Sequence, residues 1–417
     1  MENDKKIKYS IIIPVRNCRP YIQATIESVV SQNYDNYEII ISDNNSTDGT
    51  KEFLRRYELN SRIKVVYTPD LLVLSDHFDW AQTHASGEWQ IFLGGDDGLQ
   101  PYFFRLADKL TELAMKKKIR AITSKRAYFF WKNCASNYSY TAVNYYAAEK
   151  ITVENCNKQI FKYLYGKREC GYFDLPQMYA TSLFHFSLLQ DIRLQQECVL
   201  LSLPFYPQDM QLAALSLSVE DVFLESHIPL GWVGTSSKEL LYTLRKEHEN
   251  LNVFYTDIYP HELGMWDILL QKAKLWKPAI YKKLSSPFFK IKLFAYALLS
   301  IQYRNKYSGY SVEPIFMYMK NNKIPVRTVI IISRLIVFFE LLVRYFLKFI
   351  FFPWRCVRYI LKRIPFVKKC FINKTSIKNN VNLYVSWNDD PNMTMQKASE
   401  MVMDLINKNI NLEELKI

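Results

Sequence analysis

The stretch Ser86-Gly87-Glu88-Trp89-Gln90-Ile91-Phe92-Leu93-Gly94-Gly95-Asp96-Asp97-Gly98-Leu99-Gln100-Pro101 decides how this chain is to be read. Ser86-Gly87 is a turn ahead of a short apolar run, Trp89 to Leu93, which reads as a buried strand. The run stops at two glycines and two adjacent carboxylates. Pro101 then opens a segment with Phe103, Leu106, Leu110 and Leu113 at helical spacing. In an open α/β sheet, ligands bind beyond the carboxyl ends of the strands, so Asp96 and Asp97 stand where chemistry is expected. Neighbouring carboxylates repel, and Mg²⁺ or Mn²⁺ relieves that repulsion while offering a Lewis acid to a diphosphate. A solvated Asp-Asp-Gly turn would look the same, so the pair needs support from the rest of the chain.

Upstream the pattern repeats. Tyr9 to Val15 is a β-branched run ended by Pro14 and polar residues, which suits a buried parallel strand. Ile22, Ile26, Val29 and Val30 form a helical stripe, and Tyr37 to Ser42 is a second buried strand ending in Asp43-Asn44-Asn45-Ser46. Thr47-Asp48-Gly49-Thr50 opens an amphipathic segment, and Ile63 to Tyr67 is the next strand. Alternation of this kind, with short polar links, means βαβ units and a mostly parallel sheet. Its polar strand ends share one rim, a layout suited to a ligand with several polar handles. Asp43 there could accept from a base N–H or a ribose hydroxyl, or could instead close an Asx-turn over the next helix, a capping role open equally to Thr47 and Asp48. Spacing leaves these readings level.

Taken in order, these runs resemble the family 2 glycosyltransferases of the GT-A fold. The resemblance is carried by Tyr9 to Asn17, Thr25 to Gln32, Tyr37 to Thr50, Leu74 to Phe78, Ala85 to Trp89 and Gly94 to Pro101. It covers the first quarter of the chain densely, and the ordered series is far more specific than any one motif. It implies transfer of a sugar from a nucleotide-diphosphate donor, with inversion at the anomeric carbon and a divalent metal. By position, Pro14, Val15 and Asn17 resemble the donor-base strand end and Asp43 the base-contacting aspartate. Asp96 and Asp97 resemble the Asp-x-Asp site, with Asp96 on the ribose side and Asp97 on the metal. One departure stands out. The family carries a further acidic residue just before this pair, where Gly94 and Gly95 lie here, so metal affinity is expected to be weak and to depend on the donor's diphosphate.

Composition narrows the field. At 417 residues the chain is long enough for two or three domains, and 49% apolar content is ordinary for a globular protein. Only 11 glycines are present, and neither a Walker loop nor a G-x-G-x-x-G occurs. That also argues against a nucleotidyltransferase, for which a Gly-rich loop would replace Arg16-Asn17-Cys18-Arg19 after the first strand. Seven dispersed cysteines without C-x-x-C spacing fit a reducing compartment and neither a disulfide framework nor a zinc site. No apolar signal region precedes the first strand, so an unexported protein is expected. The net charge of +13 admits nucleic acid, anionic membrane or phosphorylated substrates. Nucleic acid is set aside because no recognition motif is present.

Further along, Arg120 to Ser124 reads as a strand ending in Lys125-Arg126, and Tyr128 to Tyr146 as an aromatic-rich irregular stretch. Leu175 to Ile192 resembles the family's acceptor-side segment. Gln208-Asp209 stands at the head of a helix with Leu212, Leu215 and Val219 facing inward. Asp209 could serve as an N-cap. The resemblance favours general base, since inverting transfer needs a carboxylate to take the acceptor's hydroxyl proton. Glu220-Asp221 is a second carboxylate pair that a turn into the next strand explains, and His227 could reach donor or acceptor from the final loop.

The remainder reads as an α-helical extension with a membrane-facing part. Val329 to Phe352 is long enough to span a bilayer, but Arg334, Glu340, Arg344 and Lys348 interrupt it, at about 2.5–3.5 kcal/mol per central charge. A wide apolar face with a basic edge, followed by Arg355, Arg358, Lys362, Arg363, Lys368 and Lys369, describes helices lying on an anionic membrane surface. Packing on the catalytic domain or a second subunit is the competing explanation. The expected organisation is a GT-A α/β catalytic domain over 1–240, a helical extension over 241–324, membrane-associating helices over 325–372 and a tail with a short helix over 373–417. The expected protein is a cytoplasmic, peripheral inner-face glycosyltransferase acting on a glycan or lipid-linked acceptor in surface polysaccharide assembly. The competing class is a non-catalytic nucleotide-sugar-binding or scaffold protein that kept the fold.

Overall fold

Tyr9–Val15 (β1) is apolar on both faces, and all seven residues are buried, as expected of a central parallel strand. The computed structural model describes residues 8–132, 134, 140–164, 174–196, 199, 208–236, 261–302, 316, 319–320, 323–336, 338 and 379–417. After β1 come α1 (Ile22–Val30), β2 (Tyr37–Asp43), α2 (Thr50–Leu54), β3 (Ile63–Tyr67), α3 (Leu74–Thr83), β4 (Trp89–Phe92), β5 (Gly98–Leu99) and α4 (Phe103–Lys116). Then follow β6 (Ala121–Ser124), β7 (Ala127–Phe130), β8 (Thr141–Ala148), β9 (Ile151–Asn155), α5 (Cys156–Leu164), β10 (Ser182–His185), α6 (Phe186–Gln196) and α7 (Gln208–Val219). The described elements end with β11 (Val222–Ser226), β12 (Gly231–Thr235), α8 (His261–Trp276), α9 (Pro278–Leu284), α10 (Pro287–Gln302), β13 (Asn380–Ser386) and α11 (Met395–Asn409).

The eight-stranded sheet has the order β3-β2-β1-β4-β10-β6-β11-β9. Strands β3, β2, β1, β4, β6 and β11 run one way, β10 and β9 the other. The class is therefore α/β with a mixed, mainly parallel sheet and flanking helices. Alternate residues of β1 serve the two faces: Ile11 and Ile13 enter one apolar cluster and Ile12 the other. On the first face lie α1 and α4, and α4 buries Phe103, Leu106, Ala107, Leu110 and Ala114 along one stripe. On the second lie α3, α5, α6 and α7, with α8 packed on α7 through residues including Met265 and Trp266.

A second, five-stranded sheet of order β13-β8-β7-β12-β5 backs the first face. It gives regular structure to much of the aromatic stretch read from sequence as irregular. Thr141–Ala148 alternates loosely, with Val143 and Tyr145 buried and Asn144 and Tyr146 exposed. Its partner is remote: β13 pairs antiparallel with β8 from Asn380↔Ala148 onward. Behind it α11, capped by Thr394 Oγ1 accepting from Lys397 N–H at 3.1 Å, buries Ala398, Val402 and Ile406 in the same cluster as β1. Trp232 of β12 donates its indole N–H to Ser399 Oγ at 3.0 Å. Among the described residues no helix is long and apolar enough to cross a membrane. Most of the membrane-associating stretch, 339–372, lies outside the described residues. Within its described part Val329 is buried, and Ile331, Leu335 and Phe338 are exposed.

Candidate active site

β1 lies between β2 and β4, so chain order reverses at β1, and the carboxyl ends of β1 and β4 are where an open α/β sheet takes its ligand. Val15 and Asp43 are register partners at the ends of β1 and β2. Pro14, with no N–H to give a ladder, is in register with Ser42 of β2 and lies beyond the β1–β4 pairing, which ends at Ile12↔Phe92. Asn17 takes φ 54°, in the left-handed region that asparagine tolerates. Its Oδ1 accepts from Thr47 N–H at 2.7 Å and its own N–H donates to Ser46 Oγ at 2.8 Å. Asn17 thus ties the two strand ends together.

Of the two readings the sequence leaves open for Asp43, the Asx-type contact is present and engages one oxygen. Oδ2 accepts from Ser46 N–H at 3.2 Å, an Asx-type contact. Oδ1 is buried without a hydrogen-bond partner. The N-cap of α2 is Gly49, and Asp48 Oδ1 just ahead of it accepts from Thr50 N–H at 3.1 Å. Burial pushes the Asp43 carboxyl above its ordinary range, opposed by the bonds from Ser46 and the charge of Lys51. A buried carboxylate oxygen with no donor is costly, about 1–3 kcal/mol, and an incoming N–H or O–H removes that cost.

The turn after β4 is fastened from three directions. Thr25 of α1 donates to the Asp97 carbonyl at 2.7 Å, with the Gly95 carbonyl 3.0 Å away. Trp131 donates its indole N–H to the Asp96 carbonyl at 2.9 Å. Asp97 is 2% exposed, and its two oxygens accept from Gly94 N–H at 2.6 Å and Gly234 N–H at 2.8 Å. Burial and the adjacent Asp96 charge push the Asp97 carboxyl up to about 7, against the pull of the two N–H bonds and Arg126. Asp96 is half-buried.

The same contacts bear on a metal. Among the described residues no group of three or more His, Cys, Asp or Glu side chains is placed to hold one. Asp96 and Asp97 are the side chains at this turn that would hold a divalent cation, and two carboxylates suit one that keeps few protein ligands. Gly95 shows why one acidic position is empty. A Cβ there would come within 2.7 Å of Cys18 Sγ and 3.0 Å of Val15 Cγ1. At Gly94 a Cβ would stand 3.1 Å from an oxygen of each aspartate, so a third carboxylate would crowd the two present.

Asp209 is buried in the first turn of α7, where a carboxylate is favoured by the helix dipole, and its Oδ1 accepts from Met210 N–H at 2.8 Å. Its neighbour Gln208 donates to the Tyr179 hydroxyl. Other candidates have structural partners. Lys125 is bound to Asp174 at 2.7 Å and Glu225 at 2.6 Å, and Glu220 to Arg120 at 2.7 Å. His227 is driven down to about 4 by burial and by Lys125 and Lys150, so it is neutral near pH 7. Thr25, Trp131 and Gly234 escaped the sequence reading because their contributions are a hydroxyl, an indole N–H and a backbone N–H, none of which has a motif.

In an open α/β sheet the ligand side is the carboxyl-end rim at the switch point, and the buried and paired carboxylates of this chain lie on that rim. Residues 10–129 match the family described as Glycosyl transferase family 2, so the chain carries a family 2 glycosyltransferase domain that includes Asp43, Asp96 and Asp97. It is similar to the putative teichuronic acid biosynthesis glycosyltransferase TuaG of Bacillus subtilis, 39% identical over 21% of this chain and 35% of that protein. It is also similar to the UDP-Glc:alpha-D-GlcNAc-diphosphoundecaprenol beta-1,3-glucosyltransferase WfaP of Escherichia coli, 39% identical over 21% of this chain and 35% of that one. The match thus spans about a third of the length of these curated relatives. Among solved structures, S. aureus TarS 1–349 in complex with UDP-GlcNAc aligns with a TM-score of 0.42 and 15% identity, covering 71% of this chain and 82% of that one.

Proposed function

We propose that the chain is an inverting glycosyltransferase that moves a hexosyl group from a nucleotide-diphosphate sugar to an acceptor hydroxyl. The observation that carries this is Asp43: a buried carboxylate at the end of β2, next to the switch point and inside the family match, with one oxygen that has no hydrogen-bond partner. In this reading Asp43 accepts from the base, flanked by Pro14, Val15 and Asn17, and Asp96 accepts from the ribose. Asp97, with Asp96, holds a divalent metal jointly with the diphosphate, and that metal would supply neutralising charge to the leaving group. Asp209 takes the acceptor's proton as its oxygen bonds to C1. The bond from C1 to the diphosphate oxygen breaks on the opposite face, which inverts the configuration.

For the acceptor, the glycosyltransferase WfaP acts by its name on an undecaprenol-linked GlcNAc diphosphate, and an acceptor of that lipid-linked class suits this chain. The exposed Ile331, Leu335 and Phe338 and the basic charge support work at an anionic membrane surface, on its inner face. A panel of UDP-, GDP- and dTDP-hexoses titrated calorimetrically, with and without Mn²⁺, tests the donor half. One donor bound more tightly with metal supports the reading, and no binding by any of them overturns it. Tight binding without turnover of any acceptor would assign the chain to the non-catalytic class.

A further inference from the structure

Strand β10 runs antiparallel to β4 and β6, so the segment leading into it lies at the same rim as their carboxyl ends. Its backbone is fixed there. Ala180 N–H donates to the Phe92 carbonyl at 2.8 Å, Gln177 N–H to Ser182 Oγ at 3.1 Å, and Ser182 Oγ to Thr123 Oγ1 at 3.1 Å. Tyr179 and Ala180 take φ 66° and 60°. Consecutive non-glycine residues in the left-handed region are strained, and such strain gathers at functional sites. The Tyr179 hydroxyl then meets Gln208, next to Asp209.

Inside this frame the Gln177 side chain is 0% exposed, and neither its Oε1 nor its Nε2 has a hydrogen-bond partner. Oε1 of Gln208 is also buried and unpartnered. Unpartnered buried amides are exceptions in folded proteins, and each asks for an explanation. A carboxamide sets a donor beside an acceptor, and vicinal sugar hydroxyls, each able to give and take a hydrogen bond, answer both at once.

We propose that Gln177 is a sugar-recognition residue whose carboxamide hydrogen-bonds hydroxyls of a hexopyranosyl ring held at this rim beside α7. The proposal rests on the glycosyltransferase reading, and the ring is that of the donor or of the acceptor. The test uses Gln177→Met, apolar and of similar length, with Gln177→Asn as a second variant that keeps the amide but withdraws it. UDP and UDP-glucose, or the nucleotide and donor that the panel selects, are titrated into each protein with Mn²⁺. Methyl glucosides are then titrated into the nucleotide-saturated proteins.

Nucleotide diphosphate alone should bind wild type and variants alike. The extra affinity for the donor over the bare nucleotide, or the affinity for methyl glucoside, should fall about 10-fold in both variants. The first result places the donor ring on Gln177, the second the acceptor ring. The thermal midpoint of Gln177→Met should be no lower than wild type, which separates lost recognition from lost folding. Unchanged affinity in both arms would overturn the proposal while leaving the glycosyltransferase reading intact. Failure of wild type to bind any nucleotide sugar would overturn both.

Discussion

His77 illustrates how much of this rim is set by single buried side chains. It sits in α3 at 2% exposure, with Nε2 3.0 Å from the Ser42 carbonyl and 3.1 Å from its hydroxyl, one residue before Asp43. A carbonyl only accepts, so Nε2 carries a proton and donates it there. Burial, with Arg16 nearby, drives the His77 imidazole down to about 4. The unfolded chain therefore binds a proton below about 6.5 that the folded chain refuses, so stability falls as pH drops from about 6.5 to 4. His77→Gln should lessen that loss, by up to about 3 kcal/mol at the acid end, read from urea midpoints at several pH values. An equal slope in the variant would contradict it. Asp43→Asn separates binding from stability: donor affinity should fall about 10–100-fold while the thermal midpoint holds or rises, since a buried charge is removed. A lowered midpoint would mean that Asp43 is mainly structural. At Gly234, a Cβ would fall onto the Asp96 carbonyl and 3.1 Å from the Asp97 N–H nitrogen. Gly234→Ala should therefore cost about 1–3 kcal/mol and weaken any metal-assisted donor binding, checked by paired denaturation and calorimetry.

Among the elements, those with strong local signals were legible in advance. Strands β1, β2 and β4 are runs of buried apolar residues closed by polar ends, and the stripe of α4 repeats at helical spacing. Strand β13 was not legible, because its reason for existing is β8, more than two hundred residues earlier, and Asn380 to Ser386 carries only Val381 and Val385 as buried apolar residues. The entrance to β10 was opaque for a similar reason: nothing in Tyr179-Ala180 announces a left-handed turn. Of the candidate site, the carboxylates could be named from sequence, since a chemical class at a strand end is visible in one dimension. Which oxygen is already engaged, and by which backbone N–H, depends on contacts across the fold. Ile406 is fully buried beneath the first sheet, and Ile406→Ala should destabilise the whole α/β unit by about 2–5 kcal/mol in one cooperative transition. A separate, early transition of the tail alone would contradict that.

For the molecule as a whole, two apolar layers sandwich a twisted sheet, and the acidic rim lies at one edge of a chain carrying net charge +13. Acidic groups gathered in a basic protein are suited to a metal-neutralised anion at the rim and anionic lipid elsewhere. Binding to phosphatidylglycerol vesicles should accordingly be strong at about 0.05 M salt and largely lost near 0.5 M, as the screening length shortens. Binding that ignores salt and lipid charge would argue against the membrane-surface part of the account. The measurement that bears most directly on the central claim is calorimetric titration of the hexose-nucleotide panel into wild type and Asp43→Ala, each with and without Mn²⁺. One donor should bind wild type, more tightly with metal, and bind Asp43→Ala about 10–100-fold more weakly. Equal affinity for the two proteins, or no donor bound by wild type, would contradict it.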